Sequence, residues 1–319
     1  MIFKNILVTG GTGFIGSNFI LYMLKKYGNK INIINYDKLT YAANLKNLKE
    51  VENLKNYFFV KADICNNKKV ENVVEKYNID TIVHFAAESH VDNSILNPNI
   101  FVKTNIEGTQ VLLDVVKNSK TKIRFHHIST DEVFGSLDKK DPKFSEKTPY
   151  NPKSPYSASK AGSDFIVRAY INTYNILATI SNCSNNYGPR QHEEKLVPKT
   201  IIKCFKNEAI PIYGNGENIR DWLYVEDHCR AIDIILKKGK IGETYCIGGD
   251  DEKTNIDIVN SIINQIEFTK SKIKLIKDRK GHDFRYAINF KKIEKDLGWK
   301  PKVSFNEGLK KTISWYKIR

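Results

Sequence analysis

The chain contains no CxxC pair: its five cysteines, Cys65, Cys183, Cys204, Cys229 and Cys246, are odd in number and widely spaced. That pattern argues against a disulfide framework and fits free thiols in a reducing cytoplasm. An HExxH arrangement is also missing. His126 and His127 are adjacent on an expected strand, so they point to opposite faces and cannot share a metal; no metal site is expected. Nothing approaches the roughly 18–20 apolar residues of a membrane span. Lys4 precedes a short apolar run, but glycines follow at once, which reads as a first strand and not a signal peptide. Acidic residues are few, 36 against 51 Lys and Arg, for a net charge of +15. Such an excess can serve nucleic-acid phosphates, yet the lysines are scattered, with short runs such as Lys139-Lys140 and Lys291-Lys292, and no stretch interleaves them with aromatics. A solvated lysine-rich surface that assists the approach of a small anion is the better reading, with neither nucleic acid nor membrane as a partner.

What is present is an α/β pattern. The 319 residues exceed one average domain and can bury a full core without a staple. Short β-rich runs at 5–9, 31–36, 57–61, 81–85, 123–129 and 178–182 alternate with helical stretches at 16–27, 68–77, 104–118 and 157–174, which predicts a doubly wound parallel sheet with helices on both faces. After Asn182 the chain turns to loops rich in Gly, Pro and Asn. The expected division is a Rossmann-type domain over 1–183 and a smaller mixed α/β lobe over 184–319, with segments interleaved.

Between the first strand and the first helix runs Thr9-Gly10-Gly11-Thr12-Gly13-Phe14-Ile15-Gly16. Glycines there allow a tight turn and let backbone amides reach a pyrophosphate at the helix N-terminus. Asp37, ending the second strand, is placed to accept hydrogen bonds from an adenosine ribose and to repel a 2′-phosphate, which favours NAD over NADP. Asp63-Ile64 and Phe85-Ala86-Ala87 fall at the same sheet edge.

Tyr156 and Lys160 lie four apart on an expected helix and project from one face. A free phenol, with a pKa of about 10, is too weak a base at neutral pH; a lysine ammonium and a cationic nicotinamide nearby favour its phenolate. Following a Rossmann half, this YxxxK marks the short-chain dehydrogenase/reductase superfamily. The fifth strand ends in Ser129-Thr130-Asp131-Glu132. Two adjacent carboxyls offer an acid and a base, or they simply begin a polar loop or cap; spacing alone does not choose.

The segments TGGTGFIGSN, DKLTYAANL, AAESHVDNSI, HISTDEVFG, PYSASKAGSD, NNYGPRQHEEKLVP, PIYGNGENIRDWLYVEDH and DRKGHDFRYAI follow one another from residue 9 to residue 288, and LGWKP comes after them. Together they resemble the dTDP-glucose 4,6-dehydratase family of extended short-chain dehydrogenases/reductases. The resemblance implies a lyase with NAD as cofactor, a homodimer formed through two helices per subunit, and a place in deoxysugar synthesis such as that of L-rhamnose precursors. It implies that Tyr156, Lys160, Thr130, Asp131 and Glu132 are catalytic. It adds Lys38, Leu39, Thr40, Ser89, Thr104 and Asn186 to the cofactor contacts. The substrate contacts it implies are Ser89, Thr130, Asn185, Lys195, Leu196, Pro211, Ile212, Tyr213, Arg220, Asn255, Arg279 and His282, where Arg220 and Arg279 suit a diphosphate through paired hydrogen bonds. Thr12, Ala43, Asn93, Phe134, Asn215 and Lys280 depart from the family pattern of Ala, Gly, Arg, Tyr, Asp and Pro.

Overall fold

Strand β1 (Asn5–Thr9) carries Ile6, Leu7 and Val8 in succession, and all three are fully buried. Such a run has no polar face to offer water, so it fits only a sheet covered on both sides. It pairs in parallel with β2 (Asn32–Asp37) on one side and β4 (Thr81–His84) on the other. The computed structural model describes residues 3–278 and 281–318. Beyond β2 lies β3 (Tyr57–Lys61); beyond β4 lie β5 (Arg124–Thr130), β6 (Leu177–Cys183) and β10 (Thr244–Ile247). All seven strands are parallel, in the order β10-β6-β5-β4-β1-β2-β3. The sequence reading counted six of them. The seventh, β10, comes from the loop-rich second half and is recruited by pairing with β6.

Helices α1 (Phe14–Tyr27) and α8 (Val225–Lys238) cover one face, packing Phe19, Ile20 and Met23 with Val225, Ile232 and Leu236. The other face is covered by α2 (Asn67–Lys76), α5 (Gly108–Asn118) and α6 (Pro155–Tyr174) through Val70, Leu112 and Val167. The helix expected at 104–118 starts earlier: α3 (Val91–Leu96) and α4 (Pro98–Phe101) lead into a π turn, Val102–Glu107, before α5. Pro98 can open α4 because the first helical amide needs no partner. Helix α6 also starts before its expected Ser157, since Ser154 caps it in a reciprocal pair with Ser157 and Pro155 takes the first position. Tyr156 thereby enters the first helical turn.

The smaller lobe contains the sheet β11-β9-β7, formed by β7 (Asn185–Tyr187), β9 (Ile219–Tyr224) and β11 (Glu252–Thr254), and the parallel pair β8 (Ile210–Tyr213) and β12 (Ile273–Ile276). Around them α7 (Leu196–Lys206), α9 (Asn255–Gln265) and α11 (Phe305–Lys317) share a core centred on Tyr187, Trp222, Tyr224 and Phe305. Helix α10 (Lys291–Leu297) returns to β10. Two of the departures from the family pattern are accommodated locally. Phe134 stacks on Phe144 and meets Tyr150 edge-on, and Asn215 accepts the Glu217 amide. Lys280 lies outside the described residues. Among the described residues no helix is long and apolar enough to cross a membrane.

Strand order reverses between β1 and β4, with β2 and β3 running outward on one side and β5 and β6 on the other. A crevice opens at the carboxyl ends of the strands at such a reversal.

Candidate active site

The turn from β1 into α1 tolerates little but glycine. Gly10 has φ +69°, and a Cβ there would lie 2.7 Å from the Ala86 amide nitrogen; one on Gly16 would lie 2.4 Å from the Gly10 carbonyl oxygen. Phe14, Ile15 and Gly16 open α1, so their amides have no carbonyl one turn earlier within the helix, and all three residues line the crevice. Asp37 is buried, and its carboxylate accepts the Thr12 amide at 3.0 Å and the Leu39 amide at 2.8 Å, which fixes its plane. A bare turn, first-turn amides and an oriented carboxylate fit the diphosphate and ribose of a dinucleotide.

One cleft of about 330 Å³ gathers Gly10, Gly13, Phe14, Ile15, Gly16, Asp37, Lys38, Thr40, Asp63, Ile64, Phe85, Ala86, Ala87, Ser89 and Thr104 with Thr130, Asp131, Glu132, Tyr156, Lys160, Asn185, Asn186 and Lys195. Within it Lys38 pairs with Asp63 at 2.7 Å. Leu39 is the exception among the expected cofactor contacts. It does not line the cleft and contributes its amide to Asp37, at φ +61°.

The residues expected to be catalytic begin where β5 ends. Thr130 is its last residue, and Asp131 and Glu132 begin a 3-10 turn capped by the Thr130 hydroxyl, which accepts the Glu132 amide. The acids do start a capped turn, and both line the cleft. Asp131 is 2 % exposed, and its buried Oδ2 has no hydrogen-bond partner among the described residues. Burial, with Glu132 and Asp221 nearby, pushes its carboxyl well above the usual range, against the opposing charge of Arg220. The shift favours the protonated acid over the carboxylate.

Tyr156 and Lys160 are 8 % and 4 % exposed. Burial pushes the Tyr156 phenol well up, Glu132, Cys183 and Asp131 add to the rise, and a hydrogen bond with Thr130 opposes it. The chain by itself thus holds Tyr156 as a neutral phenol. The expected shift toward phenolate needs positive charge beyond what overcomes this burial. The Lys160 ammonium donates to the Ile128 carbonyl at 2.8 Å, and burial brings its pKa down to about 8.

Other expected substrate contacts stand off the cleft wall. Leu196 opens α7, Pro211, Ile212 and Tyr213 form β8, and Asn255 opens α9. None of these lines the cleft, nor do Arg220 and His282. The Tyr213 hydroxyl donates to the Asp92 carboxylate at 3.4 Å. His282 Nδ1 lies 2.7 Å from Asp278. Arg220 is buried, donates to the carbonyls of Ile219, Phe284 and Asp283, and stacks on Tyr286 with its guanidinium 4.2 Å from the ring centre. Arg279 lies outside the described residues.

Sequence reasoning missed the residues that hold these groups in place. Asn105, in the π turn, accepts the Glu88 amide at 2.8 Å and donates to the Glu88 carbonyl and to Ser159, tying the cleft wall after β4 to α6. His228 on α8 lies 2.9 Å from Asn186 Oδ1. Glu194 sits 3.6 Å from both His90 and His192, bridging two cleft loops. His228 carried a usable signal: it falls on the same helical stripe as the buried Val225, Ile232 and Ile235.

The sequence profile of the GDP-mannose 4,6 dehydratase family matches residues 7–312. The dTDP-glucose 4,6-dehydratase of Haemophilus influenzae is 49% identical over 331 residues, spanning 98% of this chain and 97% of that protein. Among solved structures, the dTDP-glucose 4,6-dehydratase DesIV from Streptomyces venezuelae, solved with NAD bound, has a TM-score of 0.93 at 42% identity, over 99% of this chain and 98% of the other. The dTDP-glucose 4,6-dehydratase from Bacillus anthracis, in complex with NAD, has a TM-score of 0.90 at 45% identity, over 99% and 97% of the two chains.

Proposed function

The chain belongs to the dTDP-glucose 4,6-dehydratase family of extended short-chain dehydrogenases/reductases, and on that footing we propose that it converts dTDP-glucose to dTDP-4-keto-6-deoxy-glucose. One observation carries the reading: Asp131, a buried carboxyl whose pKa is pushed up, and its neighbour Glu132 share a cleft with Tyr156 and Lys160. Hydride transfer alone needs no such pair.

NAD, when bound, would supply the redox chemistry, as acceptor and then donor of the hydride exchanged with the sugar. Residues 1–183 hold it, through the Gly10–Gly16 turn, Asp37 and Lys160, while 184–319 bind the sugar nucleotide and lend β10 to the large sheet. Tyr156 takes the C4 hydroxyl proton; the Lys160 ammonium and the positive nicotinamide ring offset the burial that otherwise keeps the phenol neutral. The Thr130 hydroxyl hydrogen-bonds the C4 oxygen. Once C4 is a ketone, the C5 hydrogen is acidic, and Glu132 removes it. Asp131 gives its proton to the C6 hydroxyl, which leaves as water. Glu132 then returns a proton to C5 as C6 is reduced. The C5 proton is removed and returned by the same group, but Tyr156 ends with the C4 hydroxyl proton while Asp131 has lost its own to the water. One proton therefore passes from Tyr156 to Asp131 by way of solvent before the next turnover.

Asn185, Lys195 and Ser89 line the cleft and are suited to the sugar and its phosphates. For Arg220 to serve the diphosphate together with Arg279, it would have to turn from the carbonyls that hold it off the cleft wall. A dimer is supported by exposed apolar residues on neighbouring helices: Leu96 is 84 %, Val102 52 % and Phe165 57 % exposed. Five free thiols suit the cytoplasm.

Incubation with dTDP-glucose and UDP-glucose in parallel, followed by mass analysis, tests the reading. Loss of one water from the dTDP sugar is expected, with solvent deuterium at C5. An intact mass, or a product unlabelled at C5 as a 4-epimerase would leave it, overturns it.

A further inference from the structure

Beneath the cleft floor lies a carboxylate that this mechanism does not use. Asp164 is one helical turn beyond Lys160 on α6, and both it and His127 are 0 % exposed. Its Oδ2 accepts the Tyr150 hydroxyl at 2.7 Å, the Ser129 hydroxyl at 2.9 Å and the Asn182 amide at 3.2 Å. Its Oδ1 lies 3.2 Å from His127 Nε2, and Lys160 Nζ lies 3.5 Å from that same nitrogen. Three elements thus converge on one buried group: α6, β5 through His127 and Ser129, and β6 through Asn182.

A fully buried carboxylate and a nearly buried ammonium are costly alone and tolerable together. We infer that Asp164 is a positioning residue: it is the buried counter-charge that keeps Lys160 an ammonium. The inference rests on the role given to Lys160 above.

The charged and titratable neighbours support this partnership over any other. From β4, His84 sits with its ring 5.3 Å from that of His127, and burial holds it neutral. From β5, His127 is held down to about 4 by burial and by Lys160, so it too is neutral. From β6, burial pushes the Cys183 thiol up to about 12. On α6 the Tyr156 phenol is neutral, and Arg168 reaches the Tyr150 hydroxyl at 3.3 Å. Burial alone would raise the Asp164 carboxyl, but His127, Lys160 and the Tyr150 hydrogen bond outweigh it and leave it below the usual range. The Asp164 charge in turn resists the desolvation that lowers Lys160 to about 8. Without it, the ammonium would lose its proton inside the neutral range.

The test is a titration of Lys160 by NMR in protein carrying carbon-13 at the lysine ε position, with Lys160→Met identifying the signal, on the full chain with and without added NAD. In Asp164→Asn, which preserves shape and removes the charge, the midpoint should fall by about one pH unit or more, and NAD affinity should be lost at a correspondingly lower pH. A folded Asp164→Asn protein with an unmoved Lys160 midpoint overturns the inference. Should that variant not fold, Tyr150→Phe removes a hydrogen bond while keeping the charge, and the midpoint should stay within a few tenths of a unit. A drop as large as that expected for Asp164→Asn would mean that the hydrogen-bond scaffold governs Lys160, and would also overturn it. The titration needs no sugar turnover, so it remains readable if the dehydratase reading fails.

Discussion

His228 Nδ1 lies 2.9 Å from Asn186 Oδ1, and this contact joins α8, packed on the large sheet, to β7 at the cleft wall. Asn186 donates its amide to the Ser184 carbonyl at 2.9 Å, which orients the side chain. An amide oxygen only accepts, so the imidazole carries its proton on Nδ1, and its Nε2 is buried without a hydrogen-bond partner among the described residues. Burial lowers this histidine to about 3, so it stays neutral across the working range. His228→Leu should free Asn186 and weaken NAD binding roughly tenfold, the worth of about one net hydrogen bond. Calorimetry with NAD checks this, and equal affinity would show that Asn186 needs no support.

Tyr156→Phe removes only the phenolic oxygen. Turnover should fall about 10²–10⁴-fold, the usual contribution of a positioned acid or base, while NAD stays bound. Wild-type turnover by this variant would exclude Tyr156 as the base at C4.

Glu132→Gln leaves oxidation at C4 possible but removes the base for C5. Product formation should drop by about 10²–10⁴, and reduced-nicotinamide absorbance should build up on mixing with dTDP-glucose. Normal product with full deuterium at C5 would assign that proton to another group.

Asp131 makes a prediction about stability. The folded chain keeps its proton above pH about 3.9, where an unfolded aspartate has lost its own. The folded state therefore binds more protons in that window, and its stability falls as pH rises. Asp131→Asn removes this dependence. It should stabilise the protein at neutral pH by roughly 1–3 kcal/mol while abolishing elimination, and the gain should shrink as pH approaches 4. Urea unfolding at several pH values measures it; a gain that does not vary with pH would mean that Asp131 is not held protonated.

Gly16→Ala places a methyl 2.4 Å from the Gly10 carbonyl, which is backbone and cannot swing away. Overpacking of this kind costs about 1–3 kcal/mol, and the displaced turn should lose NAD. A thermal melt and a binding isotherm on one preparation separate the two effects.

Much of the site could be read without coordinates because its signals are local. The glycine turn needs only neighbours in sequence, and Tyr156 and Lys160 share a helix face by their spacing. The strand β10 was passed over because four residues between loops carry no periodicity; pairing with β6 makes them a strand. Asn105 was hidden in the same way, since its partners Glu88 and Ser159 are distant in the chain. Arg220, expected at a diphosphate, is a cation whose sequence neighbourhood says nothing of the carbonyls from 283 and 284 that surround it.

The sequence by itself determined the parallel sheet, the bare turn and the order of acids after β5, because hydrophobic period and glycine sterics act over a few residues. Protonation was decided by the tertiary structure alone. Burial pushes the Asp131 carboxyl up and the His127 imidazole down, while at Asp164 burial is outweighed by His127, Lys160 and Tyr150, which draw the carboxyl below the usual range. Both desolvation and Coulomb energy depend on distances that exist only once the chain has folded.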